Sequence, residues 1–380
     1  MSTHAATIAT HRLLLALVII PALTGPVFAE AGARVQAPRE QSEGRRLYET
    51  ACAACHGPDG RGVAQPLLGF DIPVPDFTDC SFVTVEPNED WMAVSHDGGP
   101  ARGFDRRMPA FGLAMTTGEL QQTLDYIRGF CTNPAWPPGD LNLPRPLVTE
   151  KAFPENEFVW TTTVATTGDG HVGNELLYEQ RIGARSQFEV VVPLLVQEGA
   201  ASDWDRGLGD VALAVKHVAY HSLGRGHILS VVGEVVLPTG KESEGLGSGV
   251  TVFEPFVAFG QILPANTFVH AQAGFELPFD TDRKGREAFW RGAVGKTFTQ
   301  GRFGRAWSPM LEVLGARELE SGAATHWDLV PQMQVTLNRR QHLMINAGFR
   351  IPVNERAGRS TQFIAYFLWD WFDGGLREGW

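Results

Sequence analysis

What this chain lacks narrows its chemistry before any motif is considered. Basic residues are in deficit, 32 Lys and Arg against 43 Asp and Glu for a net charge of −11, which argues against a nucleic-acid partner. No apolar run suffices for a membrane-spanning helix: the stretch from Leu13 to Ile20 is too short, and Pro21 breaks it. No Ser-His-Asp order, zinc-ligand spacing or phosphate-binding glycine loop stands out, so hydrolytic, zinc and nucleotide chemistry are not indicated. Cysteine is scarce, with four residues in 380, and their placement is therefore informative.

Two of the four stand in Cys52-Ala53-Ala54-Cys55-His56. Two thiols three positions apart on a helical turn can each bond a haem vinyl group, and the histidine that follows lies under the iron as its proximal ligand. A thioredoxin-like redox pair would need a βαβ context, which the flanks do not supply. The run predicts one covalent haem c on Cys52 and Cys55, with His56 axial. The sixth ligand must come from Met92, His96, Met108 or Met115. Met108 precedes Pro109, which keeps it extended and its sulfur free to project. A His/Met pair raises the potential and closes the iron to oxygen or peroxide. The expectation is an electron carrier rather than an enzyme; any enzymatic activity would be that of an oxidoreductase.

The helices around this motif are legible. A first helix is expected from Ser42, with Leu47 and Ala51 as an i, i+4 apolar pair. A middle helix starts near Asn88 and carries Trp91, Met92 and Val94. A closing helix begins at Thr116-Thr117-Gly118-Glu119, which has capping-box spacing, and aligns Leu120, Leu124 and Ile127 on one face. Residues 1–29 read as a signal peptide, with Arg12 as the positive flank and Val27-Phe28-Ala29 as a cleavage site. Residues 30–40 read as a flexible lead. Export implies an oxidising compartment, where Cys80 and Cys131 most simply form a disulfide. The stretch 41–132 resembles a class I cytochrome c. Arg107-Met108-Pro109-Ala110-Phe111-Gly112 matches the M-P-x-x-G loop that supplies the family's axial thioether, so the resemblance implies an all-α haem domain with Met108 on the iron.

Residues 133–155 hold Pro134, Pro137, Pro138, Pro144 and Pro146 and read as a semi-rigid linker. From 156 to 372 the period changes to two. Leu343, Ile345, Ala347, Phe349 and Ile351 alternate with His342, Asn346, Gly348 and Arg350, and about twelve runs behave this way. Short connections alternate with longer polar ones, which is the pattern of an antiparallel transmembrane β-barrel with both termini in the periplasm. Residues 373–380 form a tail. A soluble β-sandwich is the alternative, but aromatics at strand ends (Trp160, Trp290, Trp307, Trp327, Trp369) suit an interfacial girdle. The inward polar set includes Glu234, Glu276, Glu312, Asp328, His270 and His326. These side chains either select cations or simply fill a small barrel.

Gly207-Leu208-Gly209-Asp210 followed by Leu237-Pro238-Thr239-Gly240 resembles the outer-membrane family of the phenol-degradation (MetA) pathway. The overall plan, a multi-domain chain with an all-α haem domain before a barrel of about twelve strands, is similar to fused cytochrome–porin iron oxidases. These resemblances imply an exported outer-membrane protein whose haem domain lies on the periplasmic side or in the barrel mouth. Its partners would be periplasmic electron-transfer proteins, membrane lipid, and a metal ion such as Fe²⁺ or a small-molecule substrate. The other reading is a channel for a small organic molecule with an accessory electron-carrier domain.

Overall fold

The computed structural model describes residues 38–168, 170–198 and 204–380. The expected signal peptide and most of the lead lie outside the described residues. Helix α1 (Pro38–Ala51) begins before Ser42, so that serine is not the cap, and the helix reaches into the segment expected as a flexible lead. It is followed by α2 (Ala53–His56), α3 (Gln65–Leu68), α4 (Cys80–Val83), α5 (Asn88–Asp97) and α6 (Thr117–Arg128).

Helix α6 starts as its sequence requires. Thr116 Oγ1 accepts from the Glu119 amide at 3.3 Å, and the Glu119 carboxylate accepts from the Thr116 amide at 2.8 Å. Helices α1 and α6 cross closely at Gly44, where a Cβ would collide with the Gln122 carbonyl. The crossing buries Tyr48, Leu120, Leu124 and Ile127 against Phe77, Val83 and Met92. Each apolar side chain so buried stabilises by roughly 1.5–3 kcal/mol. A disulfide joins Cys80 to Cys131, with Cα atoms 5.1 Å apart, and fastens α4 to the end of α6.

The remainder is a closed antiparallel barrel of twelve strands among the described residues. They are β1 (Glu157–Ala165), β2 (His171–Ile182), β3 (Ser186–Glu198), β4 (Trp204–Leu208 and Val211–Ser222), β5 (His227–Leu237) and β6 (Val252–Leu263). Then follow β7 (Thr267–Pro278), β8 (Glu287–Lys296 and Phe298–Thr299), β9 (Ala306–Glu318), β10 (His326–Thr336), β11 (Leu343–Pro352) and β12 (Gln362–Asp370). Each strand pairs with the next, and β12 pairs with β1 from Glu157 opposite Asp370 to Ala165 opposite Gln362. Closure leaves no free edge.

The alternation sorts the residues by solvent. Val215, Val231, Val257, Val294, Val313, Met333 and Ile345 point outward and are exposed, while Glu189, Lys216, Ser230, Gln272, Glu312, Gln332 and Asn346 point inward and are buried. A sheet that is apolar outside and polar inside is built for a hydrocarbon surround. The tight connections 183–185, 223–226 and 264–266 share one end of the barrel with the turns 300–305 and 337–342 and with both of its chain termini. The longer loops, such as 238–251 and 279–286, occupy the other end.

Candidate functional site

Cys52, Cys55 and His56 sit on one turn: the Cys55 and His56 amides donate to the Cys52 carbonyl at 3.1 and 3.0 Å. The Tyr48 hydroxyl donates to the Gly57 carbonyl at 2.6 Å and holds this turn against α1. The His56 ring stacks on Phe77 at 4.6 Å between centroids. Burial pushes its pKa down to about 4, which keeps the imidazole neutral. Its Nδ1 is buried with no hydrogen-bond partner among the described residues, and Cys52 and Cys55 are free, half-buried thiols. A neutral imidazole and two thiols on one turn fit a covalent haem, which when bound supplies a one-electron couple.

The four candidates for the sixth position have different surroundings. Met92 is buried in the helical core, and Met115 packs against it. His96 has both nitrogens engaged, Nδ1 with Asp97 and Nε2 with Arg302, each at 2.5 Å. Met108 lies in the loop between α5 and α6, where its carbonyl accepts from the Gly99 amide at 2.9 Å, outside the packed core.

This helical domain is docked on the short-turn end of the barrel. Arg340, in the turn between β10 and β11, donates to the Gly103 carbonyl at 2.9 Å, stacks on Phe104 and also binds Glu378 of the tail. Arg102 is buried and donates to the Phe303 carbonyl and to Asp90, each at 2.5 Å. Between the two bodies lies a chamber of about 360 Å³ whose lining includes Glu86, Asp90, Asp140 and Asp373 as well as Arg102 and Arg340. Burial raises the Glu86 pKa to about 8 and puts Asp373 well above the usual carboxylate range.

A raised carboxyl favours the docked form while protonated. Its contribution is full below the ordinary value of 4.5 and is lost as pH rises through about 8. Hydrogen exchange of the Glu86–Asp90 amides is expected to quicken from pH 6 to pH 9 beyond the intrinsic base dependence, and Glu86→Gln is expected to flatten that excess. An excess that persists in Glu86→Gln would show that this carboxyl does not govern docking.

The Pro-rich segment connects the two bodies by passing through the barrel interior. Its root is held by the helical domain: the Gly139 amide donates to the Thr84 carbonyl at 2.6 Å and the Asn88 amide to Asp140 at 3.0 Å. A Cβ at Gly139 would overlap the Val85 carbonyl, so a larger residue could not approach as closely. Leu141, Ala152 and Phe153 then pack on Val218, Ile228 and Ala258 of the wall, and Leu143 packs on Phe268 and Met310. An irregular segment buried this way must find partners for its amides. Pro144 and Pro146 have none to satisfy. The Leu147, Val148 and Thr149 amides donate to Glu312 at 3.0, 3.1 and 2.6 Å, and the Glu150 amide donates to Gln272 at 3.0 Å.

Charges complete the plug. Arg145 reaches Glu157, Glu179 and Glu150 at 2.5, 2.8 and 3.3 Å. Lys216 from the wall reaches Glu150 and Glu189 at 2.5 and 3.3 Å. Two of the inward residues singled out from sequence, Glu312 and His270, thus hold the plug; His270 Nε2 is 3.0 Å from the Pro144 carbonyl. Asp328 pairs with Arg350 at 2.7 Å and with Arg359, and Glu276 pairs with Lys284 at 2.8 Å. His326 is exposed at the long-loop end.

Glu234 belongs to a larger arrangement that sequence reading missed. It stands opposite Glu254, whose register places it beside Glu276. Glu276 stands opposite Glu287, and Glu287 opposite Glu318. Five carboxylates therefore lie side by side on five neighbouring strands. Like charges directly opposite each other destabilise a sheet, so this row belongs where water or a cation can reach it. Nearer the long-loop rim, Asp210 accepts from the Gly240 and Ser248 amides at 2.9 and 2.7 Å. Thr239 Oγ1 accepts from the Val211 amide at 2.9 Å and donates to the Gly209 carbonyl at 2.7 Å. The G-x-G-D and L-P-T-G runs meet there and fix the loop 238–251 to the break in β4.

Residues 145–363 match the family described as Putative MetA-pathway of phenol degradation. The chain belongs to this family. Its helical domain is a cytochrome c domain: residues 39–127 match the family described as Cytochrome C oxidase, cbb3-type, subunit III. The match to the MetA-pathway family takes in most of the plug together with nearly the whole barrel. Similar solved structures include an outer membrane channel from Pseudomonas putida F1, 14% identical over 60% of this chain and 99% of that one, with a TM-score of 0.41. The NanC porin is 8% identical over 56% of this chain and 98% of its own, with a TM-score of 0.40. No curated protein matches the chain.

Proposed function

We propose that this chain is an outer-membrane electron-transfer protein, a single covalent haem c carried on the periplasmic rim of a plugged barrel. The observation that carries the reading is the Cys52, Cys55 and His56 turn with its neutral, buried imidazole. The apolar exterior supports the membrane setting, and short turns on the haem side support a periplasmic location for that end. Met108 completes the iron's coordination, and the electron partners are periplasmic redox proteins.

The row of Glu234, Glu254, Glu276, Glu287 and Glu318 supports a cation as the species met at the far mouth, with ferrous iron as the electron donor; because the plug lies between that mouth and the haem domain, reduction from there requires the plug to move. The second reading is a channel for a small organic molecule, which the family's description favours; it requires the plug to move. Stopped-flow reduction of the haem separates the donors. Reduction by Fe²⁺ at mildly acidic pH that slows at least tenfold when the five glutamates become glutamines supports the metal reading. A haem indifferent to Fe²⁺ but rapidly reduced by a small reduced cytochrome would remove iron from the account and leave an internal electron carrier.

A further inference from the structure

We propose that the barrel turn 300–305 braces the sixth-ligand loop of the haem domain through His96, so that docking on the barrel sets the strength of the axial thioether bond. The inference rests on the reading of Met108 as that ligand. The turn reaches into the helical domain with two side chains. Phe303 packs against the buried cluster around Tyr48 and Met92 and lies 5.6 Å from the His96 ring, centroid to centroid. Arg302 donates to His96 Nε2 at 2.5 Å, which fixes the other ring nitrogen as the donor to Asp97. The Phe303 carbonyl in turn accepts from buried Arg102, itself paired with Asp90 on α5. Both ends of α5 therefore answer to this one turn.

The same ring also touches the loop. A Cβ at Gly112 would run into the imidazole, so ring and loop are in direct contact. The Gly112 amide donates to the His96 carbonyl at 2.9 Å, the Phe111 amide to the Ser95 carbonyl at 3.0 Å, and the Gly99 amide to the Met108 carbonyl at 2.9 Å. Three backbone bonds thus pin residues 108–112 to the end of α5, and His96 is the piece between them and the barrel. Residues that orient a metal ligand without touching the metal tune its bond. A loop free to drift weakens a thioether bond before it disturbs the fold, because the sulfur's hold on iron depends on its position.

The test uses the full-length holoprotein in detergent and compares the parent with Phe303→Ala, Arg302→Gln and Phe303→Leu. Two readouts report the axial bond, the midpoint potential and the ferric thioether charge-transfer band. Phe303→Ala is expected to weaken the sulfur's preference for ferrous iron about tenfold, which lowers the midpoint by about 59 mV, and to diminish the band. Phe303→Leu is expected to restore both, and Arg302→Gln to shift them less in the same direction. Gly112→Ala, which pushes on His96 from the loop, is expected to reproduce the change with the turn intact. Should Phe303→Ala fail to accumulate, Arg302→Gln and Gly112→Ala carry the test. Folded variants with the parent's midpoint and band would overturn the brace. A parent protein that itself lacks the band would overturn the Met108 reading, and the brace with it.

Discussion

Arg145→Ala is expected to convert a closed barrel into a conducting one and to lower its stability by roughly 3–5 kcal/mol, the range for breaking a buried ion pair. Among the described residues the guanidinium is the only cation in ion-pair contact with Glu157, and it also serves Glu179 and Glu150. Its backbone carbonyl accepts from the Tyr366 hydroxyl at 2.7 Å and from Asn346 at 3.2 Å, so the residue is seated on β11 and β12 as well. Without the charge, buried Glu157 loses its counter-ion and buried Glu179 keeps only the more distant Lys216, and the cheapest relief is for the plug to leave and water to enter. Glu312→Ala should act in the same direction by stripping the amides of Val148 and Thr149 of their acceptor and leaving the Leu147 amide only Gln332. Conductance in planar bilayers checks both. Variants as silent as the parent, with unchanged thermal unfolding, would mean that these contacts do not hold the plug.

Met108→Ala is expected to lower the midpoint potential by on the order of 0.1 V, within the ~0.8 V over which axial ligands set haem potentials. It should also let carbon monoxide bind the ferrous iron. Methionine raises the potential relative to histidine because a thioether favours the ferrous state, so the sign of the change is fixed. Met92→Ala serves as the contrast. Met92 is 7% exposed within the helical core, and truncating it should cost roughly 2–5 kcal/mol of stability with the haem spectrum unchanged. If Met92→Ala rather than Met108→Ala opened the iron, the loop would have been misassigned as the ligand source.

The two bodies were legible for different reasons. Cys52 to His56 and Thr116 to Glu119 are local patterns, each contained within about one helical turn, and the backbone forms a helical turn at each. Inward and outward faces follow from period two alone, so Glu312, His270 and Asp328 could be assigned to the interior without knowledge of their neighbours. The plug could not be found that way. Residues 139–156 have no period, and their prolines, which resemble a linker's, serve here to reduce the number of amides needing buried partners. Nor could the glutamate row be read, since Glu287 and Glu318 join it only once cross-strand register is known. Register depends on turns such as 300–305, whose length sequence suggests but does not fix. That same turn carries Arg302 and Phe303, which look like ordinary surface residues until the haem domain is docked upon them.

The most direct test of the central claim is a visible redox titration of the protein purified in detergent from outer membranes, with the same sample run on a denaturing gel stained for haem. The account predicts one haem that stays with the polypeptide through denaturation, titrates as a single one-electron step, and shows a thioether charge-transfer band when oxidised. Haem lost on denaturation, or no haem at all, would contradict it and leave a plugged barrel without an electron carrier.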